Sequence, residues 1–527
     1  MIPHLSATPA AARSQRHNLV AGAFIVFLAI YALSGPGRID ILDGQYRFDV
    51  SRSLVEIGSP VVRDSFLSAR RGLDRARYSS YSPAASVVAL PLVWVGLTFG
   101  GHDGELARFL FSFTSAGFAA ATLALLLNWW LRLGVPARKA LAWTAVVGLA
   151  TLLWPQATST FDQAQHAFFV LAAAYAGTCA SEGRRSTIWA LLSGLLAGIL
   201  VLYQPPYLVL ALPLALSLLG TTRPIRLRPA LPRLALFAAP FALCAGAACL
   251  YNVARFGSAT DTGAWPGHPV WGNALFGIPG LLVSPGKGVL WYSPVIVLQL
   301  WALRALWRGK PVIALTVIAM VYVHFAFISS LSFYGGDWAW GPRYLVTTTP
   351  LLALGLPFLQ LGGARRWIAR TLVGVGLLVQ VAGLTMDHQG FFFAHALPAW
   401  FWLDPTANFR QSQLAYRAVE LLDLFAGVKP NSVVPFRPGP YPTQHTYYIL
   451  STYPPFSPVW MRSFPVFYLP RPWPLWMPHL PAGQRPVPPV PAAALLTLMG
   501  AAGVLLIRRS LPSLAGPSPS RNDTVAA

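Results

Sequence analysis

Long apolar runs, separated by short and often basic stretches, dominate the chain. The first runs from about Leu19 to Leu33, behind Arg13, Arg16 and His17. Others are centred on residues 84–101, 107–130, 139–155, 163–181, 187–203, 206–220, 233–251, 288–306, 311–331, 344–361, 369–386 and 491–507, making thirteen in all. About 20 apolar residues in a helix cross the hydrocarbon core, so these runs read as candidate spans. The first resembles a signal peptide in outline. Its small-residue cleavage pattern is poor and more spans follow, so it reads as a retained first helix. Residues 46–56 carry helical spacing at Tyr46, Val50, Ser53 and Leu54. That predicts an amphipathic helix lying on the outer leaflet.

Composition agrees. Of 527 residues, 55% are apolar and only 11% charged, against about a quarter charged in an average soluble domain. A single large soluble protein and a disordered chain are both excluded. Cys179, Cys244 and Cys249 all lie in apolar runs, with no disulfide framework and no CxxC pattern. The net charge of +22 suits a nucleic-acid partner only if the charge is clustered for one. It is distributed as a topology signal instead.

Basic loops mark the cytoplasmic side of a membrane protein. Alternate connections carry Arg132, Arg138 and Lys139; Arg184 and Arg185; Arg223, Arg226, Arg228 and Arg233; Arg304, Arg308 and Lys310; and Arg365, Arg366 and Arg370. Both termini are basic, so both are expected in the cytoplasm, which requires an even number of crossings. Thirteen is odd. Laying 84–101 along the outer face places every basic loop inside. The expected fold is therefore an all-α polytopic membrane protein with about 12 transmembrane helices and an outer-face juxtamembrane helix. On that topology 20 of the 39 Lys and Arg residues lie inside, with only Glu182 and Asp523 as carboxylates. No nucleic-acid partner is expected.

The organisation that follows is a cytoplasmic N-terminus at 1–17 and a transmembrane catalytic module at 18–386, with outer loops at 35–108 and 251–287. A Pro- and aromatic-rich outer cap follows at 387–490, then a last span and cytoplasmic tail at 491–527. Segments such as PFRPGPYP and LPRPWPLWMP resist regular helix and favour an irregular, compact cap.

Carboxylates are few, and those at a membrane edge are functional candidates. They are Asp40, Asp43, Asp49, Asp162, Asp261 and Asp337. Asp43 precedes the amphipathic helix and has two readings: an N-cap or a general base. Asp162 opens the 163–181 span and shares a helix face with His166, four residues on. Capping is the alternative there too, and packing is the alternative for His166. Lys287, in SPGKG, stands between glycines that let backbone N–H groups approach an anion. Asp337 and Arg343 bracket aromatics in GGDWAWGPRY. Arg343 suits either a headgroup anchor or a phosphate clamp.

Taken together, these segments resemble a family: membrane glycosyltransferases of the C-type fold that use polyprenyl-phosphate sugars, including protein O-mannosyltransferases and lipid A aminoarabinose transferases. DGQYRFDVSRSLVEIG resembles its first outer loop, with Tyr46 three residues after the acid. YSPAASVVALPLVWVGLTFGG resembles its juxtamembrane helix, and TSTFDQAQHAFF the segment with its second acid. The resemblance is strongest over about residues 20–220. It implies that Asp43 is the catalytic acid and Asp162 the second carboxylate. Two positions depart from the pattern: the Asp-Glu pair is Asp43-Gly44, and the Lys-Pro before the juxtamembrane helix is Ser82-Pro83. Arg70, Arg71, Arg75, Arg77 or Lys287 then replaces the missing lysine at the lipid phosphate.

The expected activity is transfer of a sugar from a polyprenyl-phosphate donor to a hydroxyl of a lipid, glycan or protein acceptor. It takes place at the outer face of the plasma membrane, with Asp43 as base. Lys287, Arg343, Asp337, Tyr46, His166, Arg70 and Arg71 are the candidate substrate contacts. No cofactor is evident, and scattered histidines do not argue for a metal. Two other classes remain: a flippase or other transporter, and a non-catalytic assembly protein.

Overall fold

A computed structural model describes residues 9–63, 69–100, 104–183, 185–220, 227–263, 270–336, 339–386, 409, 412–426, 471–479 and 482–514. It is an all-α polytopic membrane protein. Among the described residues seven helices are long and apolar enough to cross a bilayer: Arg13–Ser34, Glu105–Arg132, Ser186–Tyr203, Arg228–Phe256, Pro311–Ser329, Gly363–Thr385 and Pro489–Leu511.

The first elements are α1 (Pro9–Ser34), α2 (Leu42–Ile57), a hairpin of β1 (Arg70–Arg71) and β2 (Arg77–Tyr78), α3 (Ala84–Gly100) and α4 (Glu105–Phe111). A helix forms where one is expected, but it starts early enough to take Asp43 into its first turn, and it does not lie amphipathically on a surface: residues 44–51 are buried on every face, Gln45, Arg47 and Asp49 included. Helix α3 has 17 residues with Pro91 inside it, below the spanning length, and packs on α2 and α4.

Next come α5 (Thr114–Arg132), α6 (Ala137–Leu149), α7 (Leu153–Ala157), α8 (Gln163–Glu182), α9 (Ser186–Tyr203) and α10 (Leu231–Phe256). Helix α8 is buried on nearly every face. Its neighbours α5 and α9 shield it, so it tolerates the polar start Gln163-Ala164-Gln165-His166 that a lipid-facing helix would not. Close packing of α9 on α10 depends on Gly194, where an added Cβ would stand 2.0 Å from the Phe237 carbonyl oxygen. Small residues at such crossings let membrane helices approach closely.

The longer helices that follow are α11 (Ile296–Gly309), α12 (Pro311–Ser329), α13 (Gly363–Thr385), α14 (Gln413–Phe425) and α15 (Pro489–Leu514). Helices α1 and α15 pack together, joining the two ends of the chain. Several apolar runs that read as single helices are broken. Residues 205–219 alternate 3-10 and α turns, as do 343–358, and 288–306 divides at Ser293-Pro294. Proline explains the breaks, since it removes a donor and clashes with the preceding turn. Most of the expected outer cap lies outside the described residues, which include only Phe409, residues 412–426, 471–479 and 482–490 of it.

Candidate active site

Both candidate carboxylates stand at helix starts, yet neither acts as a cap. Ile41 holds the N-cap position of α2 with no side-chain bond. Asp162 holds that of α8, also without one. Their oxygens are turned to other side chains. The Tyr81 hydroxyl donates to Asp43 Oδ1 at 2.6 Å. Asp43 Oδ2 lies 3.8 Å from Arg343 Nη1 and 4.0 Å from Arg47 Nη2.

Arg47 follows Asp43 by one helical turn, so the two share a face. Its Nη2 donates to Asp162 Oδ2 at 2.8 Å, which places one guanidinium between the two acids. Asp162 also accepts from Gln163 Nε2 at 3.0 Å and faces His166 Nε2 at 3.4 Å. Burial raises the Asp162 pKa, but the adjacent Arg47 and His166 overcome it and hold the carboxyl well below its usual range. His166 Nδ1 lies 3.1 Å from the Tyr207 hydroxyl, and its ring stands edge-on to Tyr203 and Tyr207. His166 thus packs against two tyrosine rings and also faces the Asp162 carboxylate.

Arg343 is buried. Its guanidinium stands over the Phe161 ring, 3.6 Å from the centroid. Its Nε donates to the Gly336 carbonyl at 2.6 Å, and Nη1 to Gln163 Oε1 at 3.4 Å. That burial removes the headgroup-anchor reading. Lys287 is buried too, and its Nζ donates to the Ala339 carbonyl at 2.7 Å and the Gly341 carbonyl at 3.3 Å. Lys287 thus holds the carbonyls of Ala339 and Gly341, and Arg343 that of Gly336. Tyr46 joins the site through its ring, 5.8 Å from that of Tyr81.

The hairpin arginines do not converge on this cluster. Arg70 pairs with Asp261 at 2.7 Å and stacks on Phe256, while Arg71 is exposed on β1. Among the described residues neither contacts Asp43 or Asp162. Asp337 and Trp338 lie outside the described residues. Trp340 is buried, its ring edge-on to Tyr292. Among the described residues there is also no group of three or more His, Cys, Asp and Glu that could hold a metal.

Sequence reasoning missed Arg47 and Tyr81. The four-residue spacing that pairs Asp162 with His166 also pairs Asp43 with Arg47, so Arg47 was within reach of the same argument. Tyr81 comes from a different segment and has no comparable local signal. The Asp43-Gly44 departure has a physical reason: a Cβ on Gly44 would lie 2.3 Å from Thr160 Oγ1.

Exposure separates the members of the cluster. The Asp43 side chain is 20% exposed, while Arg47, Asp162 and Arg343 are at 3%, 2% and 5%. Asp43 is the most exposed of the four.

No family model and no curated protein matches the chain. Among solved structures it is similar to ArnT from Cupriavidus metallidurans in the apo state, at 16% identity and a TM-score of 0.45, covering 95% of this chain and 78% of that one. It is also similar to the archaeal oligosaccharyltransferase AglB from Archaeoglobus fulgidus in complex with an inhibitory peptide and a dolichol-phosphate. There the identity is 10% and the TM-score 0.44, covering 70% and 56% of the two chains. The A. fulgidus oligosaccharyltransferase tethered with an acceptor peptide matches at 12% identity and a TM-score of 0.46, covering 87% and 59%. The chain spans under two thirds of the length of these archaeal enzymes.

Proposed function

We propose that this chain is a membrane glycosyltransferase that moves a sugar from a polyprenyl-phosphate donor to an acceptor hydroxyl, at the membrane face opposite the basic loops. The observation that carries the reading is the opening at Asp43, the accessible carboxylate of an otherwise buried cluster of acids and guanidiniums.

Asp43 takes the proton of the acceptor hydroxyl. The oxygen attacks the anomeric carbon, and the bond from that carbon to the phosphate oxygen breaks with its electron pair on the lipid phosphate. Inversion follows from this single displacement. The phosphate leaves as an anion, so it requires positive charge more than a proton. Arg343, beside Asp43, supplies it. Lys287 acts through the loop it holds. Arg47 keeps Asp162 ionised and sets the position of Asp43.

One feature favours a lipid-flipping transporter. His324, fully buried in α12, stands next to Tyr207 and extends the polar line from Asp162 and His166 into the bundle. Ionisable groups at membrane depth are a transporter's usual equipment. Sugar transfer by detergent-solubilised protein separates the two, because flipping needs a bilayer and transfer does not. Asp43→Asn keeps an oxygen for Tyr81 but removes the base. Transfer by wild type and its loss in Asp43→Asn support the reading. Equal transfer by both removes Asp43 as base, and no transfer by wild type across a panel of donors and acceptors favours the transporter.

A further inference from the structure

Helix α14 is amphipathic in the opposite sense from a water-facing cap. Gln413, Arg417 and Glu420 are buried, and their spacing puts them on one face. Gln413 accepts from the Gly341 N–H at 3.2 Å and donates to the Ala339 carbonyl at 3.0 Å. Arg417 pairs with Glu420 at 2.9 Å and lies by the Trp340 ring. The other face carries Val419, Leu422 and Phe425, with Leu422 at 68% and Phe425 at 86% exposure. A helix bathed in water turns its apolar face inward; this one turns it outward.

The surroundings say what covers that face. Helix α14 packs against α13, a spanning helix whose Leu378 and Val381 are themselves exposed. Phe409, just before α14, stacks near Trp291 at 5.6 Å, and both are partly exposed. The stripe on α14 therefore continues an apolar surface that already faces lipid. With 13 residues the helix is roughly 20 Å long, too short to cross.

We infer that α14 is an interfacial helix, its apolar face seated in the acyl–headgroup boundary of the leaflet nearest the active site. Its polar face holds the 339–341 turn, the same turn that Lys287 grips. This inference does not depend on the chemistry proposed above.

The test uses the full chain in nanodiscs, with Cys179, Cys244 and Cys249 replaced. An environment-sensitive fluorophore is attached to a cysteine at Leu422 or, separately, at Phe425, with Arg75 in the hairpin turn as the aqueous reference. Labelled proteins are accepted when their thermal melting matches that of the unlabelled chain. Fluorescence at both α14 positions should be lost when lipids carry a doxyl group near the headgroup, and should resist iodide. Arg75 should behave in the opposite way. Iodide quenching at Leu422 and Phe425 overturns the inference. So does protection from both quenchers, which would mean that another segment of the chain or a second copy covers the face.

Discussion

Asp40 and Asp43 stand three residues apart at the start of the same segment, yet their surroundings differ. Asp40 Oδ1 accepts from the Thr160 N–H at 2.8 Å and from its hydroxyl at 2.7 Å, and Oδ2 accepts from Arg471 Nη2 at 3.0 Å. Neither Asp40 nor Arg471 is exposed. Both carboxylate oxygens are engaged, and the pair joins three distant segments. Asp43 has one short bond, from Tyr81, and two guanidiniums at ion-pair distance but beyond hydrogen-bond reach. Part of it is open. A buried carboxylate with its partners in place holds structure. One with charge close by and room beside it can do chemistry.

The largest effect that tests this contrast falls on Asp43. In the proposed reaction Asp43→Asn lowers the transfer rate by roughly 10²–10⁴, while thermal melting in detergent stays near wild type. Asp40→Asn should do the reverse. Losing the charge opposite a buried Arg471 costs about 3–5 kcal/mol of stability, read as a lower melting temperature, while the folded fraction retains its transfer rate. A stable but inactive Asp40→Asn protein would break the comparison. An Asp43→Asn protein that melts early without losing rate would break it from the other side.

The contrast also shows how far the sequence could be read. Both aspartates were visible as membrane-edge acids, and local spacing related Asp162 to His166. Whether an acid is closed or open depends on residues from elsewhere in the chain. Arg471 comes from a Pro-rich stretch that reads as cap, and Tyr81 from a loop after a hairpin. No periodicity connects either with residues 40–43. The spanning pattern was legible because lipid imposes it on composition. Where helices are shielded or broken, as in α8 and residues 343–358, that constraint relaxes and the pattern blurs. Lys287 and Arg343 were legible as cations at span ends. Their bonds to the carbonyls of Gly336, Ala339 and Gly341 were not, since backbone carbonyls leave no trace in a side-chain pattern.

A smaller effect tests the cation side. Arg343→Ala removes a charge-assisted contact worth roughly 1.5–3 kcal/mol, about one to two decades in transfer efficiency. Arg343→Lys should recover only part of it, because an ammonium cannot reproduce the flat stack on Phe161. Donor titrations with both variants measure this. Full efficiency in Arg343→Ala would move the phosphate contact elsewhere, with Lys287 and the hairpin arginines next to be tested.

The smallest expected effect is a flat response to acid at Asp162. Burial raises its pKa, but Arg47 and His166 bring it well below the usual range. A depressed folded pKa contributes stability above the unfolded value, and that contribution is lost only as pH falls through the folded value. Wild type should therefore show no Asp162-dependent step in melting temperature between about pH 5 and about pH 8. Arg47→Met removes the cation that holds this carboxyl down. Burial is then opposed mainly by His166, the carboxyl takes up its proton at higher pH, and an acid-side step appears. Melting curves across pH, for wild type, Arg47→Met and Asp162→Asn, measure this directly. A wild-type step near the ordinary carboxylate range that vanishes in Asp162→Asn would show that Arg47 does not control this acid. It would remove the reason for placing Arg47 between the two carboxylates as their organiser.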